Sequence, residues 1–360
     1  MEPMIIVGTR PEIVKMAPVA KELEKRGIRY FLLHTGQHYS EFMSQSFFED
    51  LGLRAPDLNL QIGSGTHAQQ TAKALVGIEE AILNETPDVV LVQGDTNAVL
   101  SATLAAVKVG VPVGHVEAGL RSHDRRMPEE YNRRLTDHAS DFLFAPTEVA
   151  AEILERENVW GKVVVTGNTV IDALEERLPI AREQSNIMHE MDLEDFALLT
   201  LHRAENVDDR TTLEGLVNGL AELEVDIIFP AHPRTVSRLK QFQLMERVKQ
   251  SSIRIIQPVG YLDFLVLLDS CRFVLTDSGG IQEEVTAPSL NKKVFVLRNS
   301  TERPEAIESG HSTLVGTDPM GFPDAIRHEL RKGVDEERKS PYGSGDAAER
   351  IINTLLAEIA

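Results

Sequence analysis

Short, wholly apolar segments separated by helical stretches run through this chain twice, and that pattern constrains the fold most. In the first half the β-rich runs are Met4–Val7, Phe31–His34, Val89–Val92, Val113–Val116, Phe142–Phe144 and Val163–Thr166. Glu12–Arg26, Gln69–Asn84 and Asn97–Lys108 carry helical pattern between them. A second set follows at Phe196–Leu201, Asp226–Pro230, Ile253–Ile256, Phe273–Thr276, Val294–Leu297 and Thr313–Val315, separated by Thr212–Leu223, Thr235–Gln250 and Tyr261–Asp269. The strands do not alternate apolar with polar residues. Parallel strands covered on both faces read this way. Six strands and six, joined by crossovers, predict an α/β protein of two Rossmann-like domains.

The length of 360 residues agrees, because one core rarely grows that large. The expected first domain is 1–168, with a C-terminal helix at about 345–360 packing back on it; the second is 169–344. The apolar face of Ala347–Ile359 motivates that return. The polar stretch Pro179–Asp195 has little apolar period and is expected to form a mobile outer segment.

Charge and cysteine content exclude several roles. Lys and Arg number 37 against 56 Asp and Glu, a net charge of −19. Such a field repels nucleic acid. No apolar run approaches the ~18 residues of a spanning helix, so no membrane partner is expected. The start, MEPMIIVGTRPE, reads as a first strand and not as a signal peptide. The lone Cys271 can form neither an internal disulfide nor a thiolate metal site, which suits a reducing cytoplasm. An anionic substrate would need basic side chains gathered against the overall charge.

Ligands of parallel α/β sheets collect at the carboxyl ends of strands. The first strand ends Gly8-Thr9-Arg10-Pro11-Glu12. Glycine permits a tight turn, proline suits a first helical turn, and Arg10 at a helix start favours an anion. No GxGxxG follows, so dinucleotide binding loses support. The third strand ends Gln93-Gly94-Asp95-Thr96-Asn97, and the fourth ends His115-Val116-Glu117-Ala118-Gly119. Asp95 can act as general acid or base, or cap the next helix. Glu117 is a poor capping residue, which favours chemistry. Downstream, Glu129 and Arg133 are four apart on one helix face, where a surface ion pair is the plain reading.

In the second half, Leu201-His202-Arg203-Ala204-Glu205-Asn206 follows the first strand. His202 can hydrogen-bond a phosphate or serve structure alone. In Thr276-Asp277-Ser278-Gly279-Gly280-Ile281-Gln282-Glu283-Glu284, Ser278, Gly279 and Gly280 would present backbone N–H groups to a diphosphate. Glu284, one turn on, is placed to accept two ribose hydroxyls. Arg303, in Ser300-Thr301-Glu302-Arg303-Pro304, is a further anion ligand.

These segments, taken together, resemble the non-hydrolysing UDP-N-acetylglucosamine 2-epimerase family. GTRPEIVKMAP, GDTNAVLSATLAA, GHVEAGLRS, MPEEYNRRLTDH, TGNTVIDAL, LHRAEN, DSGGIQEE and STERPEAIESG occur in that family's order over nearly the whole chain. The resemblance implies two Rossmann-like domains of the glycosyltransferase-B kind, with the site in a cleft that they face. It implies reversible inversion at C2 of UDP-GlcNAc, giving UDP-N-acetylmannosamine. The route is loss of the C2 proton with UDP to a 2-acetamidoglucal, then return of UDP. Neither NAD nor a metal is needed.

Carried over by motif, Asp95, Glu117 and Glu129 are the carboxylates near the sugar, and at least two alternate as base and acid. Arg10, His202, Ser278, Gly280 and Arg303 are diphosphate ligands, with Gly279 between them. Glu284 resembles the ribose binder and Phe264 the aromatic near uracil. Lys15 and Arg133 match further site positions. A homodimer is also implied.

The sequence departs from the pattern at two places. Thr35-Gly36-Gln37-His38-Tyr39-Ser40 stands where many bacterial members have TAQHR, in a region that contributes to a regulatory UDP-GlcNAc site there. After Glu284 two extra residues enter and a glycine is lost, so a slightly longer helix is expected. The HTGQHY opening also occurs in relatives acting on UDP-2,3-diacetamido-glucuronic acid, for which Arg125 or Arg126 could supply the extra cation. A glycosyltransferase of the same fold is the remaining alternative.

Overall fold

The computed structural model describes residues 1–36, 47–332 and 338–359. The chain forms two compact units. One holds Met1–Ala173 and Tyr342–Ala360, the other Leu174–Pro341.

The first unit is built on a seven-stranded parallel sheet. Its strands are β1 (Pro3–Val7), β2 (Phe31–His34), β3 (Leu58–Asn59), β4 (Val89–Gln93), β5 (Val113–Val116), β6 (Phe142–Ala145) and β7 (Lys162–Val165), in the spatial order β3-β2-β1-β4-β5-β6-β7. β3 is the strand missing from the sequence reading. At two residues it is too short to form an apolar run, and its place is fixed by pairing of Leu33 with Leu58. All five residues of β1 and of β4 are buried. Side chains on opposite faces of these strands pack against different helices, which explains their continuous apolarity. Met4, Ile6, Val90 and Val92 meet Ala74, Ile78, Val99 and Ala102 on one face.

Local signals set the helix ends. Thr66 and Gln69 form a reciprocal capping box at the start of the helix His67–Glu85. Thr96 and Thr147 cap the helices Asn97–Lys108 and Glu148–Arg156. The terminal helix Ala347–Ile359 packs on the helix Arg10–Lys25, burying Ile351, Ile352 and Leu355. Each such side chain contributes roughly 1.5–3 kcal/mol. Buried Asp172 holds the start of that helix by accepting the Ala348 N–H at 2.8 Å.

The second unit has six parallel strands: β8 (Phe196–Thr200), β9 (Asp226–Pro230), β10 (Ile253–Ile256), β11 (Phe273–Thr276), β12 (Val294–Val296) and β13 (Ser312–Leu314). Their order is β10-β9-β8-β11-β12-β13. Leu199, Leu275 and Phe295 share a core with Leu213, Leu216 and Phe322.

Two expectations are corrected. Pro179–Asp195 is not a loose outer segment. The helix Thr169–Gln184 runs through Pro179, a short helix covers Ile187–Met191, and Leu178, Ala181 and Ile187 are buried. Ala181 and Ile187 anchor the segment from within, and Leu178 does so from just before it. The helix Gly279–Glu284 stops at Glu284, and the added residues form turns.

Each sheet reverses its strand order once. In the first unit the reversal lies between β1 and β4, in the second between β8 and β11. At such a point the two following loops diverge and leave a crevice at the carboxyl ends.

Candidate functional site

In the first unit the loops after β1, β4 and β5 stand side by side. Gly8 is required here, because a Cβ would meet Thr35 Oγ1 at 2.7 Å and Ala98 Cβ at 2.9 Å. Arg10 is exposed at the start of its helix, with its guanidinium 5.4 Å from the Phe47 ring centroid. Lys15, one turn further, is buried and its ammonium pairs with Glu117 Oε2. Gln93 donates to the same oxygen at 2.7 Å. Glu117 has φ 69, in the left-handed region that side chains other than glycine and asparagine rarely enter. Its carboxylate is thus held at a kink in the chain by a cation and an amide.

Asp95 does not cap the following helix; Thr96 does, accepting from the Val99 N–H. Asp95 instead receives the Arg133 guanidinium, at 2.7 and 2.9 Å. Arg133 is buried and also contacts Glu130 at 3.0 Å. The surface pair Glu129–Arg133 does not form. Arg133 turns inward toward buried Glu130 and half-buried Asp95, and Glu129 stands half-exposed on the same helix, Pro128–Ala139.

Residues that the sequence reading passed over complete this arrangement. Glu130 accepts the Ser122 N–H and hydroxyl at 2.8 and 2.9 Å and the His123 N–H at 3.3 Å, fixing the loop after β5. Burial opposes its ionisation, but these donors and Arg133 hold its carboxyl below the usual range. Glu12 lies wholly buried beneath the β1 turn. It accepts the Gly8 N–H at 2.6 Å and the Thr9 hydroxyl at 3.1 Å. Burial pushes its carboxyl up to about 7, against hydrogen bonds from Thr96, Gly8 and Thr9; the nearby Asp95 charge adds to the rise. Both glutamates lay inside the motifs already singled out, but nothing local marks either as buried.

In the second unit the loops after β8 and β11 meet. Fully buried Asp277 accepts the His202 N–H at 3.1 Å and the Arg203 N–H at 3.0 Å. It also receives the Asn206 amide at 3.1 Å, and lies 3.2 Å from His202 Nδ1. The His202 ring is half-exposed and borders a cavity of about 420 Å³ with Thr200, Pro230, His232 and Arg234. Ser278 follows Asp277, its N–H donating to Thr276 Oγ1 at 2.9 Å. A Cβ on Gly279 would lie 3.7 Å from an Arg203 nitrogen and 3.9 Å from Arg303 Cζ. The glycine turn is therefore overlooked by two guanidiniums.

Arg303 is anchored by fully buried Glu283, to which its Nε donates. Glu302 stands among Arg298, Arg303 and Arg203; burial opposes its ionisation, yet the three cations hold it down to about 2. Arg203, Arg298, Glu283 and Glu302 are additional members of this cluster. Glu284 Oε1 lies 4.0 Å from the Cβ position of Gly280. It also lies near buried Tyr261; burial first, and then this carboxylate, raise the tyrosine pKa well above its ordinary value. Phe264, one turn along the helix Tyr261–Ser270, is half-buried. Gln37, His38, Tyr39 and Ser40 lie outside the described residues.

Two doubly wound α/β units, each with charged groups locked at its reversal point, place this chain among nucleotide-sugar proteins of the glycosyltransferase-B type. The family model described as UDP-N-acetylglucosamine 2-epimerase matches residues 21–356. A UDP-N-acetylglucosamine 2-epimerase of Methanocaldococcus jannaschii is 48% identical, with 99% of both chains covered. The crystal structure of that organism's UDP-GlcNAc 2-epimerase in complex with UDP-GlcNAc and UDP matches with TM-score 0.90, covering 99% of this chain and 100% of that one. A UDP-2,3-diacetamido-2,3-dideoxy-D-glucuronate 2-epimerase of Pseudomonas aeruginosa is 39% identical over 99% of each chain. The chain belongs to the UDP-N-acetylglucosamine 2-epimerase family. Among the described residues no helix is long and apolar enough to cross a membrane.

Proposed function

We propose that the protein interconverts UDP-N-acetylglucosamine and UDP-N-acetylmannosamine by inverting C2. The observation that carries this is the pair of carboxylates at neighbouring strand ends, Asp95 on Arg133 and Glu117 on Lys15 and Gln93. A protein that only bound a sugar nucleotide would not need two acids held in this way. Inversion needs a base on one face of the ring and an acid on the other.

In the first step a carboxylate takes the C2 proton. The C–H electron pair becomes the C1=C2 bond, and the C1–O pair leaves with UDP. In the second, a different carboxylate delivers a proton to the opposite face of C2 as the UDP oxygen returns to C1. Asp95 and Glu117 are the first candidates for this exchange, with Glu129 third. Each of the first two is held in place by the cation beside it, Arg133 on Asp95 and Lys15 on Glu117.

Arg10, His202, Ser278, Gly279, Gly280 and Arg303 bind the diphosphate in this reading, and Glu284 and Phe264 hold the ribose and uracil. The second unit is accordingly the UDP-binding domain. Negative charge grows on UDP as it departs, and fixed guanidiniums stabilise it there without reorganising. The product serves synthesis of surface polysaccharide or glycan precursors in the cytoplasm, and the enzyme works as a homodimer without cofactor; light scattering of the purified protein tests the dimer.

The test of the reaction is deuterium entry at C2 from D₂O with the nucleotide retained. No exchange with UDP-GlcNAc sinks the reading. The diacetamido-uronate is the second substrate to assay, because a relative so named is 39% identical over the whole chain. Arg126 is already bound to Asp124 at 2.8 Å, which leaves Arg125 as the better candidate for its extra carboxylate. Exchange with the uronate alone would replace the first choice.

A further inference from the structure

Below the two carboxylates of the first unit lies a wholly buried charged group that the reaction scheme above does not use. Asp137, near the end of the helix Pro128–Ala139, has no exposed surface. One oxygen contacts His115 Nδ1 at 2.7 Å, and His115 Nε2 contacts the Gly94 carbonyl at 2.8 Å. The ring thus bridges the Asp137 carboxylate and the Gly94 carbonyl. The other Asp137 oxygen accepts the Gly119 N–H at 3.2 Å and an Arg121 nitrogen at 2.7 Å. Arg121 continues to Glu157 at 2.6 Å. Burial opposes ionisation of Asp137, but His115 and Arg121 outweigh it and hold its carboxyl below the ordinary range.

The two ends of this network meet the two catalytic candidates. Gly94 immediately precedes Asp95. Gly119 and Arg121 close the turn that begins at Glu117, where the backbone is left-handed at φ 69. Such a conformation costs on the order of 1–3 kcal/mol and persists only where its surroundings over-determine it. Gly119 itself admits no side chain, since a Cβ would stand 2.4 Å from the Ala150 carbonyl oxygen. A single buried carboxylate thus ties both loops to one helix.

We propose that Asp137 is the positioning residue that sets Asp95 and Glu117 relative to each other, through His115 and Gly94 on one side and through Gly119 and Arg121 on the other. The proposal rests on the epimerase reading for its effect on rate, but its effect on the two loops does not. Asp137 never touches the sugar. It fixes the spacing of two acids that must address opposite faces of one carbon, and a displacement of about 1 Å in such a pair can cost 10²-fold in rate.

Asp137→Asn is the direct test. An amide turns one acceptor into a donor, so one end of the network meets donor against donor. In the folded variant kcat for UDP-GlcNAc epimerisation is expected to fall about 10²-fold with KM within threefold, because UDP contacts are untouched. C2 exchange should slow in parallel. Amide hydrogen exchange, which needs no substrate, should accelerate in 94–97 and 117–121 with little change in the second unit. If Asp137→Asn does not fold, His115→Gln, which spares the Gly119 and Arg121 contacts, is measured instead for the same kcat loss and faster exchange in 94–97. A folded variant that keeps wild-type kcat, or keeps wild-type amide exchange in these loops, overturns the proposal. A wild-type protein inactive on UDP-GlcNAc overturns the substrate assignment; faster loop exchange in Asp137→Asn then still supports the positioning role.

Discussion

The two units solve the same problem with opposite materials. Both carry their charged groups at the carboxyl ends of strands beside a reversal of strand order. In the first unit the candidate groups are acids, and buried cations steady them: Lys15 on Glu117, Arg133 on Asp95. In the second the candidate groups are cations and backbone N–H groups, and buried acids steady them: Glu283 on Arg303, Asp277 under the His202 loop. Each ligand-facing charge thus has an opposite charge behind it. A bare buried charge would cost several kcal/mol and would shift its own protonation instead. In the proposed reaction the comparison separates the roles: the first unit would move protons and the second would hold an anion.

The largest expected effect breaks the first half of that comparison. Glu117→Gln should slow C2 deuterium exchange by up to about 10⁴-fold while UDP affinity, read by calorimetry, stays within threefold. A matching loss of UDP affinity would show that Glu117 serves binding. Next, Arg303→Ala takes a buried cation from Glu283, and denaturant unfolding should register a loss of about 3–5 kcal/mol. The double variant Arg303→Ala with Glu283→Gln should recover most of that stability and none of the UDP affinity. If affinity returns with stability, Arg303 only supports the fold.

Glu12 gives a smaller effect with a defined pH window. Its carboxyl is raised to about 7 in the folded protein from an ordinary value of 4.5. Its stabilising contribution is therefore complete below pH 4.5, falls as pH rises toward 7, and is flat above. Relative to Glu12→Gln, the wild type should lose about 3 kcal/mol across that window, measured by urea unfolding at several pH values. A pH-independent difference would show that Glu12 ionises freely. Thr96→Ala should cost least, about 1 kcal/mol, because it removes only the cap of the helix Asn97–Lys108; thermal unfolding reads it.

Twelve of the thirteen strands among the described residues were legible as apolar runs, and the candidate groups Asp95, Glu117, His202 and Arg303 were legible because each follows such a run. β3 was not, since two residues carry no period. Pro179–Asp195 was misread for a related reason: its scattered apolar side chains give a weak pattern, yet Ala181 and Ile187 reach the interior. Partnership was the least legible feature. Glu129 lies four residues from Arg133 and Glu130 only three, but the guanidinium turns to Glu130 and to Asp95, 38 positions away.

What the sequence determined by itself is local: where strands and helices start, which residues stand at strand ends, and a run of motifs that places the chain in its family. Backbone propensity and side-chain period act over a few residues, so they can be read in order. The order of strands across each sheet, the neighbouring of β4 and β5, and the burial of Glu12, Asp137, Asp277 and Glu283 were decided only by the tertiary structure. Those depend on which distant segments exclude water together, and a carboxylate is the same letter in the sequence whether it faces solvent or a buried histidine.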